Sequence, residues 1–311
     1  MTELQDFVAR FQAYLRFEKR YSTHTVTAYC TDLQQFQDFI AITYGLLPVA
    51  DIGHVHIRTW LAGLMASSIS AKSINRKIST LKSFFKFIIR QGALKQSPMV
   101  KVVSPKTGRR LPEFIDEKGM QALEENRSPR AGEETHLIFT DDLEGQTHRL
   151  IFDLLYNTGI RLSELIGLQE KDVDLGHEMI KVLGKGGKER RVPVSSVLCT
   201  QIKDYLVLRR KIIASEAAVL LLHPKSGKPL YPKYVYNMVR GVLTRHNVTT
   251  ISRKSPHILR HTFATHLTNN GADINAVKEL LGHASLAATQ VYTHNTIEKL
   301  KAVHQQAHPK A

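Results

Sequence analysis

The chain has 311 residues and is 42% hydrophobic, enough to build a core and more in keeping with two domains than one. Lys and Arg number 43 against 28 Asp and Glu, a formal +15 spread along the chain rather than gathered in a tail, so a folded surface carries it and a polyanion is the natural partner. Two isolated cysteines, Cys30 and Cys199, exclude a disulfide framework, no run approaches the ~20 apolar residues of a membrane helix, and the amphipathic, acid-bearing opening MTELQDFVARF is not read as a secretory leader; the cytoplasm is the expected location.

Residues 1–97 read as helices alone. Phe7, Phe11, Tyr14, Leu15 and Phe17 begin one, and Leu33, Phe36, Phe39 and Ile40 mark a second with Ser22 or Thr23 as N-cap. From about Ala71 to Gln91, the residues Ile74, Ile78, Leu81, Phe85 and Ile88 recur at helical spacing and make one apolar stripe, which Gly92 ends. Lys72, Arg76, Lys86 and Arg90 lie opposite that stripe, with Lys77 and Lys82 on its flanks. Such a row is ordinarily a solvated helix face. Here no acid stands among the six, so the helix is expected to face phosphates.

Residues 98–112 hold Pro98, Pro105 and Pro112 together with Gly108, Lys101, Lys106, Arg109 and Arg110. Proline fixes the backbone and removes amide donors, so no long helix crosses this stretch. It is expected to be a linker running close to DNA, with Arg109 and Arg110 among its contacts. Residues 113–311 mix helix with a little strand. Glu117–Asn126 and His148–Asn157 carry helical patterns, and the polar stretch Ser128–Gln146 reads as a surface loop. Met179–Leu183 and Arg191–Val194 read as strands about the glycine-rich 184–190, which turns a hairpin. The fold class expected is mainly α with a small β-hairpin (α+β), in two domains.

Four local patterns carry chemistry. In Asn157-Thr-Gly-Ile-Arg161-Leu-Ser-Glu164, a glycine breaks a helix just before an arginine, whose permanent charge and rigid fork suit phosphate oxygens; Glu164 is placed to hold the guanidinium. A plain surface ion pair is the common alternative. Lys185 sits on the hairpin, where it could reach a DNA groove and protonate a leaving oxygen; no nucleotide-binding phosphate loop accompanies these glycines. In Ser255-Pro-His257-Ile-Leu-Arg260-His261, serine and proline start a helix whose first turn presents His257 and Arg260, while helix amides and dipole attract an anion. His257 and His261 also have the spacing of a helical zinc pair, but no glutamate follows the first histidine. Last, Gly282 in Leu-Leu-Gly-His283 stops a helix, and Tyr292 lies near the end of the next. A phenol of pKa ~10 is a poor nucleophile unless donors stabilise its anion, and a lone helical tyrosine is more often a packing residue.

Together these motifs resemble the tyrosine recombinase (phage integrase) family over nearly the whole chain, most closely its Xer members. The family's catalytic arginines fall on Arg161 and Arg260, its hairpin lysine on Lys185, its two histidines on His257 and His283, and its nucleophile on Tyr292. STHTVTAYCTDLQQF resembles the family's helical core-binding (SAM-like) domain, and LKAVHQQAHPKA the Xer C-terminal ending. The resemblance implies two domains clamping double-stranded DNA, an all-helical one and a catalytic one. It implies strand exchange through a 3′-phosphotyrosyl bond and a Holliday junction, without metal or nucleotide cofactor. It further implies a tetramer of this chain, or of this chain with a paralogous recombinase, whose tails dock on neighbours through residues such as Leu300 and Val303. A DNA translocase is a further implied partner, at the nucleoid, in chromosome or plasmid dimer resolution, partition and cell division, or in mobile-element integration and excision. A type IB topoisomerase and a non-cutting DNA-binding protein are the rival readings.

Overall fold

The computed structural model describes residues 2–106, 113–125, 138–184, 187–213, 218–245, 251–282 and 306–307. The chain divides into two compact units, Met1–Arg110 and Leu111–Ala311. Among the described residues no helix is long and apolar enough to cross a membrane.

The α-helices among the described residues of the first unit are α1 (Glu3–Ala13), α2 (Thr23–Tyr44), α3 (His54–Ala66) and α4 (Ala71–Arg90). The side chains of Ser22 and Ser70 cap α2 and α4 by accepting from the Thr25 and Ser73 amides, satisfying donors that a helix start leaves open. The α4 stripe is buried as its spacing requires, and Phe84 and Phe87 beside it each meet the Phe11 ring at 5.4 Å between centroids. Phe36 of α2 meets Trp60 of α3 edge-on at 5.1 Å. Met99 and Val102, which the sequence reading puts in the linker, are buried in this same core.

Of the six basic residues of α4, Lys72, Arg76, Lys82, Lys86 and Arg90 are exposed. Lys77 departs from expectation. It is buried, with Nζ 2.8 Å from Asp32 Oδ1, a second hydrogen bond to Gln35, and the Trp60 ring beneath it. Its charge therefore ties α4 to α2 rather than turning to a phosphate, because a buried ammonium needs a carboxylate and Asp32 supplies it. Asp32 also accepts from Arg76 and from Thr80 Oγ1. Asp32→Ala would strand Lys77, so the first unit's thermal transition in the full chain should fall by an amount equivalent to about 3–5 kcal/mol. Asp32→Leu combined with Lys77→Met should recover most of that loss, which calorimetry of the two variants checks.

In the second unit α6 (Leu143–Thr158) is the central helix, buried along Leu150–Thr158 and packed between α8 (Ser196–Ile212) and α10 (Pro256–Asn269). α7 (Leu162–Gly167) and α9 (Pro232–Arg245) also pack on it, α11 (Ile274–Leu281) packs on α10, and α5 (Glu117–Glu124) opens the unit. Strands β1 (Val173–Asp174), β2 (Met179–Leu183) and β3 (Glu189–Pro193) form one antiparallel sheet in that order. The sheet register places Val182 opposite Arg190 and Ile180 opposite Val192. α6 starts earlier than expected, so Leu143–Gln146 are helix and not loop. Asp142 caps it through the Gly145 amide at 2.8 Å, and Gly145 fits because a Cβ there would meet the Thr140 carbonyl oxygen at 2.1 Å. Gly145 thus marks a close approach of two backbone segments.

α10 is strapped to the start of the unit by buried polar contacts. The Ile115 amide donates to Thr262 Oγ1 at 3.0 Å, and His266 Nε2 donates to the Ile115 carbonyl at 2.9 Å. That leaves His266 Nδ1 to accept from the Tyr156 hydroxyl at 3.0 Å. Burial holds the His266 pKa below its usual value, against the pull of that carbonyl. Near the chain end, Ala307 is buried in the same core and its carbonyl accepts from Asn270 Nδ2 at 2.9 Å.

Candidate active site

The turn between α6 and α7 positions the first arginine. Gly159 closes α6 in the left-handed region (φ +60°), where glycine is unstrained, and a Cβ there would meet Phe263 of α10 at 2.5 Å. Arg161 is then the N-cap of α7, with its amide donating to Glu164 Oε2 at 2.7 Å and Nη1 donating to Glu164 Oε1 at 2.8 Å. The expected hold of Glu164 on Arg161 is present. Its other partner was not legible by motif: Arg190 of β3 donates through Nη1 and Nη2 to the two Glu164 oxygens at 2.8 and 2.9 Å. Arg190 shares strand parity with the buried Val192, which is the signal that it points inward.

Arg161, Arg190 and Arg260 converge on the C-terminal end of α11. Arg190 Nε donates to the Leu280 carbonyl at 2.9 Å, Arg260 Nη2 to the Leu281 carbonyl at 2.6 Å, and Arg161 Nη2 to the Gly282 carbonyl at 2.9 Å. Arg260 Nη1 also bonds the Gly159 carbonyl, joining α10 to the α6–α7 turn. Helix C-termini leave carbonyls without partners and carry partial negative charge, so guanidiniums satisfy both needs there. Gly282 ends the helix at φ +62°, and a Cβ on it would lie 3.1 Å from Arg190 Cδ. His283 is the next residue in the chain.

Two groups of the cluster, Glu164 and Arg260, have strongly shifted pKa values. Burial alone would raise the Glu164 carboxyl, but hydrogen bonds from Arg190 and from the Arg161 amide bring it down to about 2. Burial, then the neighbouring charges of Arg161 and Arg190, lowers Arg260 to about 10, still protonated at neutral pH. Glu164 is depressed below its unfolded value of 4.5, so its contribution to stability is complete above about pH 5. That contribution is lost as pH falls towards 2. Acid titration of thermal stability should therefore be steeper below pH 4.5 for the wild type than for Glu164→Gln, and parallel curves would remove Glu164 from the acid response.

Of the expected catalytic residues, the structure brings Arg161 and Arg260 together. His257 is exposed on the first turn of α10, after Pro256 at the helix start. Lys185, His283 and Tyr292 lie outside the described residues, as do Arg109, Arg110, Leu300 and Val303. The base of the hairpin that carries Lys185 is fixed, since the Gly184 amide donates to the Lys188 carbonyl at 2.7 Å. A Cβ on Gly184 would stand 3.8 Å from Glu164 Oε1.

The comparisons with known proteins say which class of protein joins a helical first unit to an arginine cluster at a helix end. Residues 131–299 match the model of the Phage integrase family, and residues 8–92 that of its N-terminal SAM-like domain. The chain belongs to the phage integrase family, as an Xer-like tyrosine recombinase that carries out site-specific recombination. It is 38% identical over 312 residues to tyrosine recombinase XerC of Pelobacter propionicus, covering 100% of this chain and 98% of the relative. Against tyrosine recombinase XerC of Chlorobaculum tepidum the identity is 35% over 329 residues, covering 98% and 95%. Its fold is shared by XerH site-specific recombinase, solved in a post-cleavage complex with a palindromic difH substrate (TM-score 0.70, 21% identity, 95% of this chain and 82% of that one). The Tn1549 transposon integrase in complex with circular intermediate DNA gives a TM-score of 0.69 at 20% identity, covering 96% and 99%.

Proposed function

We propose that Tyr292 attacks the scissile phosphate of a double-stranded recombination site, forming a 3′-phosphotyrosyl bond as the 5′ oxygen leaves. The 5′-hydroxyl of a second strand then attacks that bond, restoring a phosphodiester and freeing the tyrosine. The meeting of Arg161 and Arg260 beside the residues that lead into His283 carries this reading, because the reaction needs fixed positive charge where the phosphorane develops. Arg161, Arg260 and His283 hold the non-bridging oxygens, His257 exchanges a proton near the phenol, and Lys185 protonates the leaving oxygen. The exposed row Lys72, Arg76, Lys82, Lys86 and Arg90, with Arg109 and Arg110 of the connecting segment, lies along the DNA backbone. Helical residues 1–97 bind the core of the site, 98–112 connect, and 113–311 hold the catalytic groups. Four protomers, of this chain or of this chain and a paralogue, join two sites through a Holliday junction. Likeness to XerC proteins over the full length favours chromosome or plasmid dimer resolution in the cytoplasm over element mobility.

The test is trapping. Labelled duplex carrying the candidate site and a nick beside the cleavage point loses its short 5′-hydroxyl fragment after attack, so the adduct accumulates. A protease-sensitive shifted band on a denaturing gel, unchanged by EDTA, is the expected result. No band on a site that the protein demonstrably binds would overturn the mechanism.

A further inference from the structure

Arg190 takes no part in the chemistry just assigned, yet it is the buried hub of the cluster. Its guanidinium is 6% exposed and makes three hydrogen bonds, two to Glu164 and one to the Leu280 carbonyl. Each Glu164 oxygen accepts twice, once from Arg190 and once from Arg161. A carboxylate held by Arg161 alone could rotate with that partly exposed side chain. The two-point fork from β3 leaves it one orientation, with Oε1 aimed at Arg161 Nη1. Two glycines leave space beside the fork: a Cβ on Gly282 would lie 3.1 Å from Arg190 Nη1, and one on Gly184 3.9 Å from the same atom.

We propose that Arg190 is a positioning residue for strand cleavage, an assignment that rests on the recombinase mechanism above. Through Glu164 it fixes the guanidinium of Arg161, and through the Leu280 carbonyl it fixes the turn from which the chain continues to His283. It thereby couples the base of the β2–β3 hairpin to the two segments whose alignment the phosphate needs. Arg190 has no role in holding DNA, being covered by the protein itself. Lysine cannot replace it, since an ammonium offers no planar fork.

The test uses the full chain as wild type, Arg190→Lys and Arg190→Met, with nicked duplex carrying either a native or a methylphosphonate scissile linkage. DNA affinity, thermal midpoint and the single-turnover cleavage rate at saturating DNA are measured for each. The expected result is affinity within about threefold of wild type and a rate on native DNA lower by about 100-fold for Arg190→Met, with Arg190→Lys recovering only a small part. On the methylphosphonate, whose neutral linkage gives a phosphorane with one negative charge fewer for Arg161 to answer, that deficit should shrink at least about tenfold. If Arg190→Met does not fold, Arg190→Lys keeps the buried charge and carries the same comparison. A folded variant that cleaves at the wild-type rate overturns the assignment, as does an equal deficit on both DNAs, which marks a purely structural residue. Wild-type protein that forms no adduct on bound DNA overturns the mechanism itself and the assignment with it.

Discussion

Tyr292→Phe is expected to bind its recombination site as tightly as the wild type and to form no covalent adduct, cleavage falling by at least roughly 10⁴-fold. The substitution removes one oxygen and keeps the ring, so packing and DNA contacts stay while the nucleophile is lost. Neither Tyr205 nor Tyr234 substitutes well. Burial raises the pKa of Tyr205, and burial raises that of Tyr234 to about 12, so neither forms a phenolate readily near neutral pH. An adduct that persists in Tyr292→Phe would place the nucleophile elsewhere in the chain. Peptide mapping of the labelled product would then identify it.

Arg260→Ala should lower the single-turnover cleavage rate by about 10²–10³-fold, the cost of deleting one fixed donor from a site of developing negative charge. Stability should move little, because two effects oppose each other. Lowering Arg260 from 12.5 to about 10 corresponds to about 3 kcal/mol held against burial and the charges of Arg161 and Arg190, which the substitution releases. Against that stand the Gly159 and Leu281 carbonyls, which lose their donors at about 1–3 kcal/mol each. A thermal midpoint within a few degrees of wild type beside a collapsed rate would identify Arg260 as a group placed for chemistry. A rate that falls only in proportion to the folded fraction would assign it to the scaffold.

Much of this arrangement was legible in the sequence, and the exceptions have physical causes. The stripe of α4, the cap of α2, the β2–β3 hairpin, the turn before Arg161 and the stop at Gly282 follow from local rules of spacing, capping and left-handed glycine. Lys77 was misread because local pattern puts it on a flank, while Asp32, which buries it, lies 45 positions earlier. The extra turn of α6 was missed because Gly145 answers to Thr140, a contact that no periodicity records. Arg190 escaped for a related reason: it lies among the charges of Lys-Glu-Arg-Arg, and its partners Glu164 and Leu280 are 26 and 90 residues away. Motifs mark what touches the phosphate and say little about what holds those groups in place.

The same separations bear on when the chain can act. Arg161 reaches Gly282 across 121 residues and Arg260 reaches Gly159 across 101, so the cluster closes only after nearly the whole second unit has been made and folded. The proposed nucleophile is encoded later still. On the proposed mechanism, a nascent or partly melted chain would lack the fixed charges that make a phenol reactive, whatever DNA its basic first unit touched. The proposed mechanism would thereby confine cutting to completed molecules.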